Sequence, residues 1–218
     1  MGILAPVKPS ILAVRIIPNV DRGFAEKLGL ADRHRALGLI TCNIDDSLYV
    51  SLDEATKFAE VDVVYAKSFY AGSGYPSGPL SGEIIGMLAG PTPAEVRAGV
   101  DACVAYCEEE AWFYSADEAG ELNFFPHLIS STGSYLSKEA GIAAGQPLAY
   151  LIAPPLEATY ALDLAVKAAD VSVQVYFEPP SETNFSGGLL TGTQSACRAA
   201  CAAFQDGVLE VACYPKKY

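Results

Sequence analysis

Three carboxylates are the residues of this sequence whose types and spacing come nearest to a chemical site. Asp45 and Asp46 stand together just before the signals for the first long helix, and Glu83 begins a strand later in the same half. With Trp112 or Phe113 supplying an aromatic face, they could form a small pocket for an ammonium group. The alternative is that they are solvated ends of loops, the commoner situation for carboxylates. Because no base, nucleophile or metal ligand accompanies them, the pattern predicts binding at most.

Motifs for catalysis, metals and cofactors are absent from the sequence. The two histidines stand far from the cysteine pairs, and there is no G-x-S-x-G, H-E-x-x-H or dinucleotide-binding fingerprint. A Gly-x-Gly at positions 72 and 74 is followed by Tyr-Pro and opens no helix, so it does not predict a nucleotide site. The cysteines are spaced as small buried residues of a reducing compartment. We therefore expect no cofactor and no metal, and an enzyme is the least favoured class.

Charge and hydropathy limit the partners. A net charge of −12 with an isoelectric point near 4.5 repels nucleic acid and anionic membrane surfaces. The chain is 51% hydrophobic with a mean hydropathy of +0.24, yet no apolar run reaches the ~18 residues of a membrane helix. The first residues lack the pattern of a secretory signal, so we expect a cytosolic protein. The apolar surplus predicts burial between the halves and between subunits, and hence an oligomer.

An internal repeat dominates the organisation of the chain. Leu52–Val63 reappears as Leu162–Val173, and two further blocks recur in the same order. A repeat of roughly a hundred residues is too long for a solenoid unit, so each half is predicted to be a domain with its own core. We place these domains at 1–112 and 113–218, with the joint between Glu108 and Phe125.

Both halves predict the same succession of elements. A strand, a short turn region and a second strand lead to a helix, and a third strand, a long loop and a fourth strand lead to the last helix. This order predicts an α+β fold in which a small antiparallel sheet carries both helices on one face. The first half has predicted strands Ile11–Ile17, Gly38–Cys42, Val61–Lys67 and Glu83–Ala89, a turn region at 24–30, a helix from a capping box at Ser51 and Glu54, and a helix capped by Thr92. The second half has predicted strands His127–Ser131, Ala149–Ala153, Val171–Phe177 and 189–190, a turn region at 135–142, and a helix after Pro154-Pro155.

The connections between the third and fourth strands of each half are unusually long. They cover 68–81 and 178–186, whereas a hairpin needs only about 2–5 residues. Both are rich in glycine, serine and proline, and the first also carries aromatic residues. We expect mobile gating loops.

Several motifs carry a family resemblance. Ala161–Val171 is similar to the alanine-rich first helix of bacterial microcompartment (BMC) shell domains, and the strand-first order from Ile11 resembles their circularly permuted version. Further motifs resemble the tandem shell proteins of ethanolamine utilisation, namely Gly133–Ser137, Ala153–Ala158, Pro180–Asn184 and Leu190–Cys197. The resemblance implies two tandem, circularly permuted BMC domains and a homotrimer whose six domains form a pseudohexagonal tile.

The resemblance also implies roles for individual residues. It implies loops around a gated central pore at Phe69, Tyr70, Gly72, Ser73, Gly74 and Tyr75 in the first half and at Pro180, Ser181, Glu182, Thr183 and Asn184 in the second. It implies narrow channels within each subunit at Asp45, Asp46, Glu83 and Thr183, with Trp112 nearby. Lys57 and Lys167 match a lysine at the edge of the tile, although an exposed lysine at a helix end is usually only solvated.

These inferences favour a non-enzymatic shell and pore protein of a compartment in the cytoplasm. Its expected partners are two further copies of itself, other shell proteins and a small metabolite such as ethanolamine. A soluble sensor or binding protein for a cationic amine, which never forms tiles, is the alternative. Electron microscopy of the pure protein separates the two, because only the first forms sheets.

Overall fold

The computed structural model describes residues 4–69, 77–179, 181 and 184–217. Their strands are β1 (Ala5–Val7), β2 (Ile11–Ile17), β3 (Ala36–Cys42), β4 (Asp62–Ser68), β5 (Ile84–Gly90), β6 (Phe113–Ser115), β7 (Asn123–Ile129), β8 (Leu148–Ala153), β9 (Val171–Phe177) and β10 (Ser186–Gly192). Their helices are α1 (Arg22–Leu28), α2 (Asp45–Phe58), α3 (Pro93–Glu109), α4 (Ser134–Glu139), α5 (Pro155–Ala168) and α6 (Gln194–Cys213). These helices and antiparallel strands confirm the predicted α+β class.

The chain divides into two units. The amino-terminal unit consists of Pro9–Ala111 together with Gly133–Leu136. The carboxyl-terminal unit consists of the chain up to Lys8, Trp112–Thr132 and the chain from Ser137 onward. The predicted domains, 1–112 and 113–218, differ from these units by the two exchanged segments and stay a prediction.

The sheet of the amino-terminal unit is antiparallel, with strand order β2-β3-β5-β4. Helices α2 and α3 contribute to a single core with it, in which Leu52 and Val100 meet sheet residues such as Ile40. A β-carbon on Gly86 would lie 2.6 Å from the Leu52 side chain, so this glycine lets α2 approach β5 closely. Full burial of a leucine such as Leu52 contributes about 1.5–3 kcal/mol.

The sheet of the carboxyl-terminal unit has the order β1-β6-β7-β8-β10-β9. All six residues of β8 are buried, and Ala149, Leu151 and Ala153 belong to the core on which α5 and α6 pack. Strands β1 and β6 have three residues each and pair with one another. Neither was predicted, because three residues are too few for a periodic pattern.

Several boundaries differ from prediction, among them the start of β10, which lies at Ser186 rather than at 189. Helix α2 begins at Asp45 rather than at Ser51, and the Ser51 hydroxyl donates to the Ser47 carbonyl inside the helix. The turn regions contain the short helices α1 and α4. Strand β7 begins at Asn123, four residues before the predicted start at His127.

The predicted cap of α3 is confirmed, since the Glu95 backbone N–H donates to Thr92 Oγ1 at 3.1 Å. Among the described residues, no helix is long and apolar enough to cross a membrane.

Candidate carboxylate and ammonium site

The first turn of α2 holds two buried carboxylates. Ile44 has an extended backbone at the N-cap and supplies no side-chain cap. Asp45 and Asp46 follow it inside the helix and are only 5% and 7% exposed, and Asp45 Oδ1 accepts the Asp46 backbone N–H at 2.8 Å. Negative charge is favoured near a helix N-terminus, which offsets part of the cost of burial. The expectation that these residues are solvated loop ends is therefore wrong.

Glu83 lies where three strands of the amino-terminal unit meet. Its backbone N–H donates to the carbonyl of Cys42, the last residue of β3, and its carbonyl accepts the Phe69 N–H, both at 2.9 Å. The preceding Gly82 has φ +62, and a β-carbon there would lie 2.1 Å from the Cys42 carbonyl oxygen. The turn therefore requires glycine, and it presents the half-buried Glu83 next to β3.

The structure brings Glu83 and Asp45 into electrostatic contact. Burial raises the pKa of Glu83, and the negative charge of Asp45 raises it further. Like charges held together in partly buried surroundings attract a cation that compensates them. In the part of the chain that the structure describes, no three histidine, cysteine or acidic residues could hold a metal ion. The pair of carboxylates is therefore a candidate site for a cation.

Cys42, whose carbonyl accepts the Glu83 N–H, also belongs to a pair of thiols. Cys42 Sγ and Cys107 Sγ are 3.9 Å apart, and both residues are fully buried. The hydrogen bond from Cys107 lowers the pKa of the Cys42 thiol, and the same bond raises the pKa of Cys107. All six cysteines are free, and five of them are buried, as the sequence predicted.

Trp112, in the carboxyl-terminal unit, already carries a cation. The Lys8 ammonium lies 3.9 Å from the centre of its ring, a distance typical of a cation–π contact. Phe113 cannot take this role, because it is 5% exposed and its ring stacks on Phe125 with centroids 4.7 Å apart. Of the two predicted aromatic rings, Trp112 is therefore the one that contacts an ammonium group, that of Lys8.

Three of the expected pore-loop residues fall within the described chain. Phe69 directly follows β4, at the start of the first long loop, and is 36% exposed. The Asn184 N–H donates to the Ser181 carbonyl at 3.2 Å, and Asn184 has φ +63, so these residues form a tight turn. The remaining expected pore residues lie outside the described residues: Tyr70, Gly72, Ser73, Gly74, Tyr75, Pro180, Glu182 and Thr183.

The two expected edge lysines have different surroundings. Lys57 pairs with Glu54, and its side chain is 25% exposed. Lys167 pairs with Asp163 at 2.5 Å, and its side chain is 70% exposed. The exposed pair of Lys167 is worth little in stability, so this ammonium group can exchange partners.

Sequence analysis missed Asp53, which is buried on α2. Its carboxylate accepts the backbone N–H groups of Gly133 at 2.6 Å and Leu136 at 2.8 Å, and thereby caps α4. Burial raises the pKa of Asp53, while these two hydrogen bonds oppose the shift. One sign was present in the sequence, since Asp53 recurs as Asp163 in the repeat.

Comparison with known proteins places these features in a family. The BMC domain model matches residues 36–116. The EutL shell protein of Clostridium perfringens is 56% identical over 96% of both chains, and that of Escherichia coli K12 is 52% identical over 99% of this chain and 98% of its own. The crystal structure of the ethanolamine utilization protein EutL from Leptotrichia buccalis has a TM-score of 0.96 at 56% identity and covers 99% of each chain. The chain therefore belongs to the EutL family of bacterial microcompartment shell proteins.

Proposed function

We propose that this chain is a structural, non-enzymatic tile of a microcompartment shell within the cytoplasm, where ethanolamine is used. The observation that carries the proposal is a tandem of two units with one element order, in a chain more than half identical to EutL shell proteins over nearly its whole length. Three copies supply six similar domains, which close a pseudohexagonal ring around a threefold axis.

The apolar surplus of the chain supports this assembly. Large apolar side chains such as Phe24, Leu156 and Val173 are between 47% and 63% exposed in a single copy. Exposed apolar surface on this scale marks contacts with other proteins. In the proposed trimer, part of this surface is covered by neighbouring copies.

Two kinds of loop alternate around the proposed central pore, 68–81 from one half and 178–186 from the other. Because the halves are unequal in sequence, the proposed pore has threefold rather than exact sixfold symmetry. Few apolar anchors hold such loops, so their open and closed arrangements differ by only a few kcal/mol. A bound metabolite can shift this balance only as far as its affinity differs between the two arrangements.

The carboxylates of α2 and Glu83 line the proposed narrow channels, together with Thr183. They attract a small amine that is protonated near neutral pH and repel anions, because both carboxylates are partly desolvated and close together. The proposed solute is ethanolamine or an amine of similar size.

Calorimetry tests the channel. Ethanolamine should bind the parent protein in the millimolar range or so, and more weakly at high salt. The double variant Asp45→Asn/Glu83→Gln should lose this binding. A matched control, Asp101→Asn/Glu118→Gln, changes the net charge equally at exposed positions and should retain it. Equal affinities in all three proteins would remove Asp45 and Glu83 from the channel.

Gating is tested separately. Crystals grown with and without ethanolamine should differ in the conformation of loops 68–81 and 178–186. Identical loop conformations in both crystals would mean that ethanolamine binds without opening or closing the pore.

A soluble amine sensor is the second candidate, because the carboxylate pair alone would serve a binding protein. Electron microscopy of the purified protein decides between them. Sheets or hexagonal tiles are expected for a shell protein, whereas dispersed particles at every concentration would favour the sensor.

A further inference from the structure

The repeat places two copies of one helix start in different surroundings. Helices α2 and α5 have 14 residues each and correspond residue by residue, so Asp53 matches Asp163. In the same way α1 matches α4, and Phe24 matches Leu136. In one copy the helix start is docked on the long helix, and in the other the corresponding residue Phe24 is exposed.

The docked copy lies within the amino-terminal unit. The start of α4 donates backbone N–H groups to Asp53, and the Ser134 N–H donates to Thr56 Oγ1 at 2.9 Å. The rings of Tyr49 and Tyr135 stack with their centroids 6.5 Å apart. As a result, Leu136 is only 2% exposed. Residues 133–136, which belong to the second half of the sequence, thus pack on α2, a helix of the first half.

Both surfaces of the undocked copy are exposed. Phe24, the counterpart of Leu136, is 47% exposed. On α5, Leu156 and Tyr160 are 63% and 39% exposed, whereas their counterparts Asp46 and Val50 are 7% and 2% exposed. Phe24, Leu156 and Tyr160 therefore expose apolar surface in a single copy.

The charges of these two surfaces are complementary. Asp21 caps α1 itself by accepting the Phe24 N–H at 3.0 Å, so α1 has no need of a carboxylate from another helix. Arg22 takes the position of Ser134, and its side chain is 94% exposed with Glu26 as an ion-pair partner. On α5, the Asp163 side chain is 55% exposed. A guanidinium therefore replaces the backbone donors of the docked copy, and the carboxylate on α5 is exposed, with Lys167 as its ion-pair partner.

We propose that the start of α1 in one protomer docks on α5 of a second copy of this chain, with Arg22 against Asp163 and Phe24 against Leu156 and Tyr160. This head-to-tail contact repeats between chains the contact that α4 and α2 make within one, and three such contacts close a ring. It rests on the proposed trimer and identifies the surfaces that hold it together. Lys167, which pairs with Asp163 in the single chain, keeps its predicted place at the tile edge.

Charge reversal tests the pairing. Arg22→Asp and Asp163→Arg should each raise the concentration at which half of the trimers dissociate by at least about tenfold, because like charges across an interface cost several kcal/mol. The double variant Arg22→Asp/Asp163→Arg should return to within about threefold of the parent. Analytical ultracentrifugation over a dilution series measures all four proteins, and circular dichroism checks that each is folded.

The apolar part of the contact is tested with Phe24→Asp, which should dissociate the trimer. Phe58→Asp introduces the same change at a residue that is 69% exposed outside the contact, and it should leave the trimer intact. A parent trimer that none of these variants weakens would overturn this contact and leave the proposed function standing. A double variant whose trimer dissociates as readily as those of the two single variants would also overturn this contact. A parent that is monomeric would instead overturn the proposed function.

Discussion

Ionisation of the Glu83 side chain destabilises the folded protein. Its raised pKa means that the folded state holds a proton more tightly than the unfolded state does. Ionisation of Glu83 therefore opposes folding, and its contribution to stability becomes less favourable as the pH rises through the raised pKa. A glutamate kept at such a cost next to Asp45 supports the proposed binding site rather than a stabilising ion pair.

Glu83→Gln should therefore raise the melting temperature at pH 7, by about 1–3 °C for a chain of this size. The difference should shrink as the pH falls through the raised pKa and vanish below about 4.3, the ordinary pKa of a glutamate, where both states are protonated. Calorimetric melting at several pH values measures this. Glu118→Gln, at an exposed position, is the control. A melting temperature lowered equally at all pH values would show that Glu83 is structural.

Trp112 is the only tryptophan of the chain, so its fluorescence reports directly on the cation above its ring. Lys8→Met should free the ring face and raise the affinity for ethanolamine measured by this fluorescence by about two- to fivefold, the value of an exposed cation–π contact. Lys27→Met, at another exposed lysine, serves as a control. If ethanolamine leaves the fluorescence of parent and variant unchanged, the indole is not an ammonium site.

At the scale of elements, the repeat made much of the fold predictable. Strands β2 and β9 have the predicted bounds, because their apolar residues are β-branched and bounded by clear turns. The start of α3 was also predictable, because Thr92, Pro93 and Glu95 form a complete local signal.

The start of α2 was not predictable, because its cap is not local. Ile44 offers no side-chain cap, and the pattern of Ser51 and Glu54 imitates a capping box inside the helix. The same error placed Asp45 and Asp46 in a loop. The approach of Asp45 to Glu83 depends on how α2 and β5 lie on β3, which no local pattern encodes. The capping of α4 by Asp53 was hidden for the same reason, since 80 residues separate Asp53 from Gly133.

The ends of α2 and α5 carry the predicted tile edge. Lys57→Asp or Lys167→Asp should leave the trimer intact but suppress sheets, because a reversed charge would face its former acceptors in the next trimer. The effect of Lys167→Asp should come without loss of stability, since its ion pair is exposed. Electron microscopy and melting temperatures measure the two effects, with Lys138→Asp as the control. Sheets of unchanged extent in both variants would assign these lysines to solvated surface.

At the scale of the whole molecule, the two halves are alike in fold and unlike in surface. The same element order gives two sheets, but one has four described strands and the other six. The short helix α4 is docked on α2, while Phe24 of its counterpart α1 and the face of α5 with Leu156 and Tyr160 are exposed. In the proposed trimer, these unequal surfaces close a ring through contacts between copies.

The mass of the protein in solution tests this account most directly. Light scattering on a sizing column should report three times 23.0 kDa, about 69 kDa, over a wide range of concentrations. The reason is that only three copies of a two-domain chain complete a ring of six domains. A stable particle of one chain, at concentrations where the protein is folded, would contradict the trimer and with it the tile and the pore.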